Sequence, residues 1–289
     1  MTLLAHSQSS WILGEGCLEP LSRLWSLHIS RNPADEVKSF LPDNFASDGP
    51  ALLSNHASLD LMEKYFQNES GRSFGKTHPP DFDSRILTEI YERFPEADAT
   101  TSDAIALLSK SVPWIGQLFA MMISGVIPIY HEKYGRPFRR GTSHIDHLGF
   151  IFTSYIERIK QNSSLMKMVL AVDLAHELGH QALMLFQLSD SILRSPLKEP
   201  VYSSVRRENR PAIMALHGTI ASAYMMEICH NIIHGAFSEL GQQYCKNTLS
   251  QLSYHQSRSL EALKTTHMDY WLVKGFASSF LFFHSFTFS

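Results

Sequence analysis

The chain is expected to fold as a mainly α-helical protein with a minor β element, carrying a metal site between two adjacent helices. Three observations lead there. A run from Leu165 to Leu188 has no proline and only one glycine, and it is apolar on both sides of Ala175-His176-Glu177-Leu178-Gly179-His180. Several other stretches place apolar residues three and four apart, the period of a helix with one buried face. Runs of β-branched residues are few: Val126 to Tyr130 reads as a short strand, with a second piece near Pro137 to Arg140.

The elements follow in order. From Met1 to about Asp81, helical stretches at Cys17 to Leu27 and Leu59 to Tyr65 are broken by Pro33, Pro42 and Pro50. This part reads as a helical lead-in (1–81), followed by a metal-binding catalytic region (82–289), unless the two form one continuous domain. Asn68 to Asp83 holds Gly71, Gly75, Pro79 and Pro80 and is expected to be an exposed loop. Ile86, Leu87, Ile90, Tyr91 and Phe94 are spaced for an amphipathic helix over Asp83 to Phe94, and another helix is expected from Ser102 to Ser109. Ser143 is placed as a helix cap, with a helix over Ile145 to Ile159. The HExxH helix should start at Asn162 or Ser163. A polar, proline-punctuated connection runs from Ser189 to Pro211, then a long helix from Ala212 to about Tyr244 and a last one from Leu252 into the aromatic tail.

Composition excludes several classes of function. The 289 residues are ample for a hydrophobic core, and with 44% hydrophobic residues and a formal charge of −3 there is no basic excess to recruit nucleic acid. Cys17, Cys229 and Cys245 are few, odd in number and without a CxxC, so buried thiols in a reducing compartment are expected. The first residues lack the pattern of a secretory signal, so a cytoplasmic location is expected. The aromatic segment Trp271 to Phe288 is too polar and short for a membrane span; docking on the core or on a second copy in a homodimer is the expectation.

The chemistry is concentrated in HExxH. Residues four apart share a helix face, so His176 and His180 aim two imidazoles at one point. Neutral imidazole suits zinc, iron, copper and nickel alike. Gly179, costing about 1 kcal/mol relative to alanine in a helix, implies a close approach by another backbone or a ligand.

A third ligand is needed, with positions left open for chemistry. The metzincin extension is excluded, because Leu183 and Phe186 stand where it needs glycine and histidine. A thermolysin-like site would take a glutamate from Glu199, Glu208 or Glu227. His217 is the other source, early in the next helix with Gly218, Ala221 and Ser222 forming a narrow face beside it. Just before it, Arg206 and Arg210 can bind a carboxylate through the guanidinium fork. An oxygenase that uses 2-oxoglutarate needs such a group for the distal carboxylate of its cosubstrate, and a peptidase does not.

HELGH, followed by Tyr202-Ser203 with Arg206, then Arg210-Pro211, then Leu216-His217-Gly218, resembles the HExxH-motif family of peptide-modifying proteins, the 2-oxoglutarate-dependent peptide β-hydroxylases of bacterial natural-product clusters. The similarity covers about Ala171 to Tyr224 and departs from the family at Ser204 and Val205, where proline and tryptophan are common. It implies an iron(II) oxygenase in which His176, His180 and His217 hold the metal and Arg206 or Arg210 meets 2-oxoglutarate, with O2 and an amino-acid or peptide substrate.

Glu177 separates that expectation from its alternative. In a zinc peptidase Glu177 would be the general base acting on metal-bound water. In the oxygenase it positions substrate or a neighbouring group. Asp173, one turn before His176, could accept a hydrogen bond from a ligand histidine. Glu227-x-x-His230 with His234 imitates a di-iron motif without its further carboxylates, and His144-x-Asp146 is most simply a cap and a surface pair.

Overall fold

The computed structural model describes residues 13–31, 51–52, 90, 92–129, 141–142, 148–156, 159–189, 200–203 and 206–264. Helix α1 (Leu18–Arg31) follows a short 3-10 turn and extends the helix expected near Cys17. Strand β1 is Ala51–Leu52. Helix α2 (Ala97–Ser111) buries Ala97, Thr101, Ala104, Leu108 and Ser111, a stripe at alternating four- and three-residue spacing. Val112 is extended because a proline follows it, and Pro113 opens α3 (Pro113–Met122) where its missing N–H costs nothing.

Four strands make one sheet in the order β1-β2-β4-β3, where β2 is Gly125–Ile129, β3 is Gly141–Thr142 and β4 is Phe150–Ser154. β2 is parallel to β1 and β4, and β3 is antiparallel to β4. The strand expected at Val126 to Tyr130 is therefore present. Among the described residues β1 pairs with Gly125 and Val126, short of Pro128.

The helix expected over Ile145 to Ile159 is not formed: Phe150–Ser154 is a strand with every residue buried. A strand covered on both faces is a continuous apolar run without alternation, so Phe150-Ile151-Phe152 carries no period to distinguish it from a buried helix. Two other expectations need correcting. The connection after the HExxH helix contains an antiparallel hairpin, β5 (Pro200–Ser203) and β6 (Glu208–Pro211), whose turn holds Arg207 at φ 58°. The long helix also ends earlier, as α5 (Ala212–His234), and α6 (Glu239–Lys264) restarts after Gly235. Leu59 to Tyr65, Asn68 to Asp83, Pro137 to Arg140, Ser143 with His144 and Asp146, and the tail from Trp271 lie outside the described residues, as does nearly all of Asp83 to Tyr91.

The HExxH helix is α4 (Ser163–Ser189), and Asn162 caps it by accepting the Leu165 N–H at 2.9 Å. α4 lies at the centre, against α5, α2, α1 and β4. Its buried Gln181 stitches it to the sheet: Oε1 accepts the Gly149 N–H (2.8 Å) and Nε2 donates to the Phe150 carbonyl (2.7 Å). One hydrophobic cluster runs from Leu13 to Leu263, and all three cysteines are buried within it. Among the described residues one helix, α5, is long and apolar enough to cross a membrane, and most of it is buried in this core.

Candidate metal centre

The site is built by α4 and α5 running antiparallel at close range. His176 faces Met225, Gly179 faces Ala221, and both His180 and Gln187 face His217. The close approach implied by Gly179 is present: a Cβ there would stand 3.0 Å from Ala221 Cα and 3.1 Å from the Tyr224 ring. Gly218 is different, since a Cβ on it would meet nothing within 4 Å. The narrow face of α5 is thus made by Ala221, without Gly218.

The three histidines come together as a row of rings. His176 Nε2 and His180 Nε2 are 3.1 Å apart, their rings nearly perpendicular at 88°. Two nitrogens on one first-row metal at about 2.0–2.1 Å stand about 2.9–3.4 Å apart, so this pair has the spacing of two ligands of one ion. On its other side His180 Nδ1 lies 3.2 Å from His217 Nδ1, and His217 Nε2 lies 2.9 Å from Gln187 Oε1. His176 Nδ1 is 3.1 Å from the Met225 sulfur. Among the described residues no three imidazole, carboxylate or thiolate groups share a point in metal-binding geometry. His217 therefore belongs to the cluster, yet it meets the far nitrogen of His180 and not the gap between the two Nε2 atoms.

Burial disfavours the charged form of two of these rings, His180 and His217. Burial pushes His180 well below the usual imidazole range, and the charges of His176, His217 and Arg210 act in the same direction. Burial alone brings His217 down to about 4. Neutral rings keep the lone pairs a metal requires. Arg210 on β6 is partly buried, within electrostatic reach of His180, with its Nε 3.8 Å from Glu208 Oε1. Arg206 is exposed in the hairpin turn. Of the two candidate arginines, Arg210 is the one whose charge acts on the cluster.

The remaining candidates divide. Glu177 is buried at 3% exposure, within the turn that carries the histidine pair. Glu227 is also buried, and its carboxyl bonds to Trp114 and Asn231. Glu208 is exposed and lies beside Arg210, and Glu199 is outside the described residues. Asp173 is buried, and its charge acts on the Cys229 thiol. His230 and His234 face each other at 4.6 Å between ring centres, at the far end of α5 from His217.

Sequence reasoning missed Gln187 and Met225. Both were findable by helical arithmetic, since Gln187 is two turns beyond His180 and Met225 two turns beyond His217. No protein-family model matches the chain, and no curated protein matches it.

Proposed function

We propose that the chain is an iron(II)- and 2-oxoglutarate-dependent oxygenase that hydroxylates an unactivated carbon, the β-carbon of an amino acid or peptide residue. The observation that carries this is a pair of imidazoles at ligand spacing, with the charge of Arg210 acting on one of them, His180. Two of the ligands such a metal would need are at the right spacing, His176 and His180 through Nε2, while His217 lies against Nδ1 of His180 and the third ligand position is not filled among the described residues. Arg210 would hold the distal carboxylate of 2-oxoglutarate by a charge-assisted bidentate contact. Bound there, iron(II) would supply the means to couple O2 and 2-oxoglutarate to substrate C–H, giving alcohol, succinate and CO2. Glu177, buried beside the pair, positions substrate or a neighbouring group. The amino-acid or peptide substrate, like the link to natural-product biosynthesis, rests on the motif similarity alone.

The zinc peptidase is the alternative, with Glu177 as base. Of its candidate third ligands, Glu227 is engaged by Trp114 and Asn231. One experiment separates the two. Purified protein given iron(II), ascorbate, O2 and 2-oxoglutarate should release succinate. Peptide cleavage that needs zinc, ignores 2-oxoglutarate and disappears in Glu177→Gln would refute the oxygenase.

A further inference from the structure

We propose that the β5–β6 hairpin and the α6 side chains beside it form a docking surface for an acidic peptide, held by Arg206, Arg207 and Arg258 together with Tyr202. In the reading above that peptide belongs to the substrate, so its purpose rests on that reading, whereas its binding needs neither metal nor turnover.

Residues paired across antiparallel strands share a face of the hairpin. Tyr202 with Asn209, and Pro200 with Pro211, make its outer face, and all four are exposed. Val201 and Ser203 point the other way and are buried. Arg258 of α6 lies over the Tyr202 ring at 6.0 Å and over the ring of Tyr254 at 5.5 Å, and it donates to the Tyr254 hydroxyl. The two tyrosines nevertheless keep 39% and 58% of their surface exposed. Rings and guanidinium are thus held in place before anything binds, which lowers the entropy lost on docking. Tyrosine and arginine are also the side chains that most often anchor an interface. The hairpin turn adds charge. Arg206 and Arg207 are exposed, and among the described residues neither they nor Arg258 has a carboxylate partner. Arg207 sits at φ 58°, a left-handed conformation that costs an arginine about 1–2 kcal/mol and a glycine almost nothing, so its side chain is kept against the preference of its backbone.

A guanidinium fork fits carboxylate and phosphate alike, so the occupant is decided by what stands between the arginines. Glu208 is exposed beside Arg210, and Glu261 lies one turn beyond Arg258. A phosphodiester strand carries a charge at every residue and would press against both glutamates. A peptide can set carboxylates on the arginines and neutral side chains on the glutamates, while its aromatic side chains pack on the exposed tyrosines. The position suits a substrate as well. β6 runs directly into α5, whose second turn carries His217, so a peptide on the hairpin is held next to a helix that contributes to the histidine cluster.

Fluorescence anisotropy with the full-length protein in EDTA tests the docking. The probe is a fluorescein-labelled decapeptide alternating glutamate with tyrosine, and its control carries glutamine in place of glutamate. The acidic probe should bind roughly tenfold tighter or more, and raising NaCl from about 50 to 500 mM should weaken it. Arg206→Gln combined with Arg207→Gln should weaken it roughly tenfold, and Tyr202→Ala about threefold to tenfold. Arg23→Gln, at an exposed arginine of α1, should change nothing. Equal affinity of the wild-type protein for the two probes, or affinity unmoved by salt, overturns the proposal without recourse to any variant. Full affinity in the double variant overturns it too, as does a fluorescein-labelled oligouridylate that binds more tightly than the peptide. Acidic-peptide binding as described with no succinate formed would sink the oxygenase and leave the docking surface standing; succinate formed without discrimination between the probes would do the reverse.

Discussion

Replacing Gly179 with alanine should weaken the protein, although the same change in an exposed helix stabilises by about 1 kcal/mol. The new methyl would lie 3.0 Å from Ala221 Cα, an atom of the α5 backbone, and 3.1 Å from the Tyr224 ring. Neither neighbour moves easily: Tyr224 is fully buried, set edge-on to Trp114 at 5.4 Å between ring centres and hydrogen-bonded to Cys17. Overpacking of this kind costs about 1–3 kcal/mol, so after the helix-propensity gain a net loss of up to about 2 kcal/mol is expected. Prying α4 from α5 should also lengthen the His180–His217 contact and lower zinc affinity. The control is Gly218→Ala on the opposite helix, whose methyl would meet nothing within 4 Å and should be neutral or stabilising. Thermal melts of the metal-free proteins measure both. If Gly179→Ala melts at or above the wild-type Tm, the close approach of the two helices is not what requires glycine.

Further perturbations follow from the same geometry. His217 is held near 4 when folded against 6.5 for a free imidazole, so below pH 6.5 the unfolded chain binds the extra proton first. In the presence of chelator, stability is then full above pH 6.5 and declines as pH falls to 4, by about 3 kcal/mol. Urea titrations across that range should flatten in His217→Gln; an equal slope would contradict the assignment. Arg210→Met should raise the 2-oxoglutarate KM by roughly tenfold to a hundredfold through loss of a charged hydrogen bond, while Arg206→Met leaves it within about twofold. Equal effects in steady-state succinate assays would remove Arg210 from its role. Glu177→Gln should retain iron-dependent succinate formation, and its complete loss would refute the positioning role given to Glu177. Gln181→Leu strands the Gly149 N–H and Phe150 carbonyl in the core and should cost about 2–4 kcal/mol, read by urea midpoint.

The parts of the site that the sequence made legible lie within single elements. His176 and His180 could be paired from a spacing of four, and the start of α4 could be placed at Asn162 because its side chain satisfies an N–H inside its own first turn. Phe150 to Ser154 was illegible for the opposite reason. Its burial is created by what covers it on both faces, and nothing within five residues records that.

The sequence alone determined the mainly helical class, the helix bearing HExxH and the need for a close neighbour at Gly179. Each follows from chain-local terms: helix period, capping and the absence of a side chain. Tertiary structure decided that Gln187 and Met225 stand at the ends of the histidine row, that Arg210 and not Arg206 is felt there, and that Glu227 is turned to Trp114. Those outcomes depend on the antiparallel register of α4 on α5. That register is set by contacts such as Gly179 against Ala221 and Tyr224, between residues more than 40 positions apart in the chain.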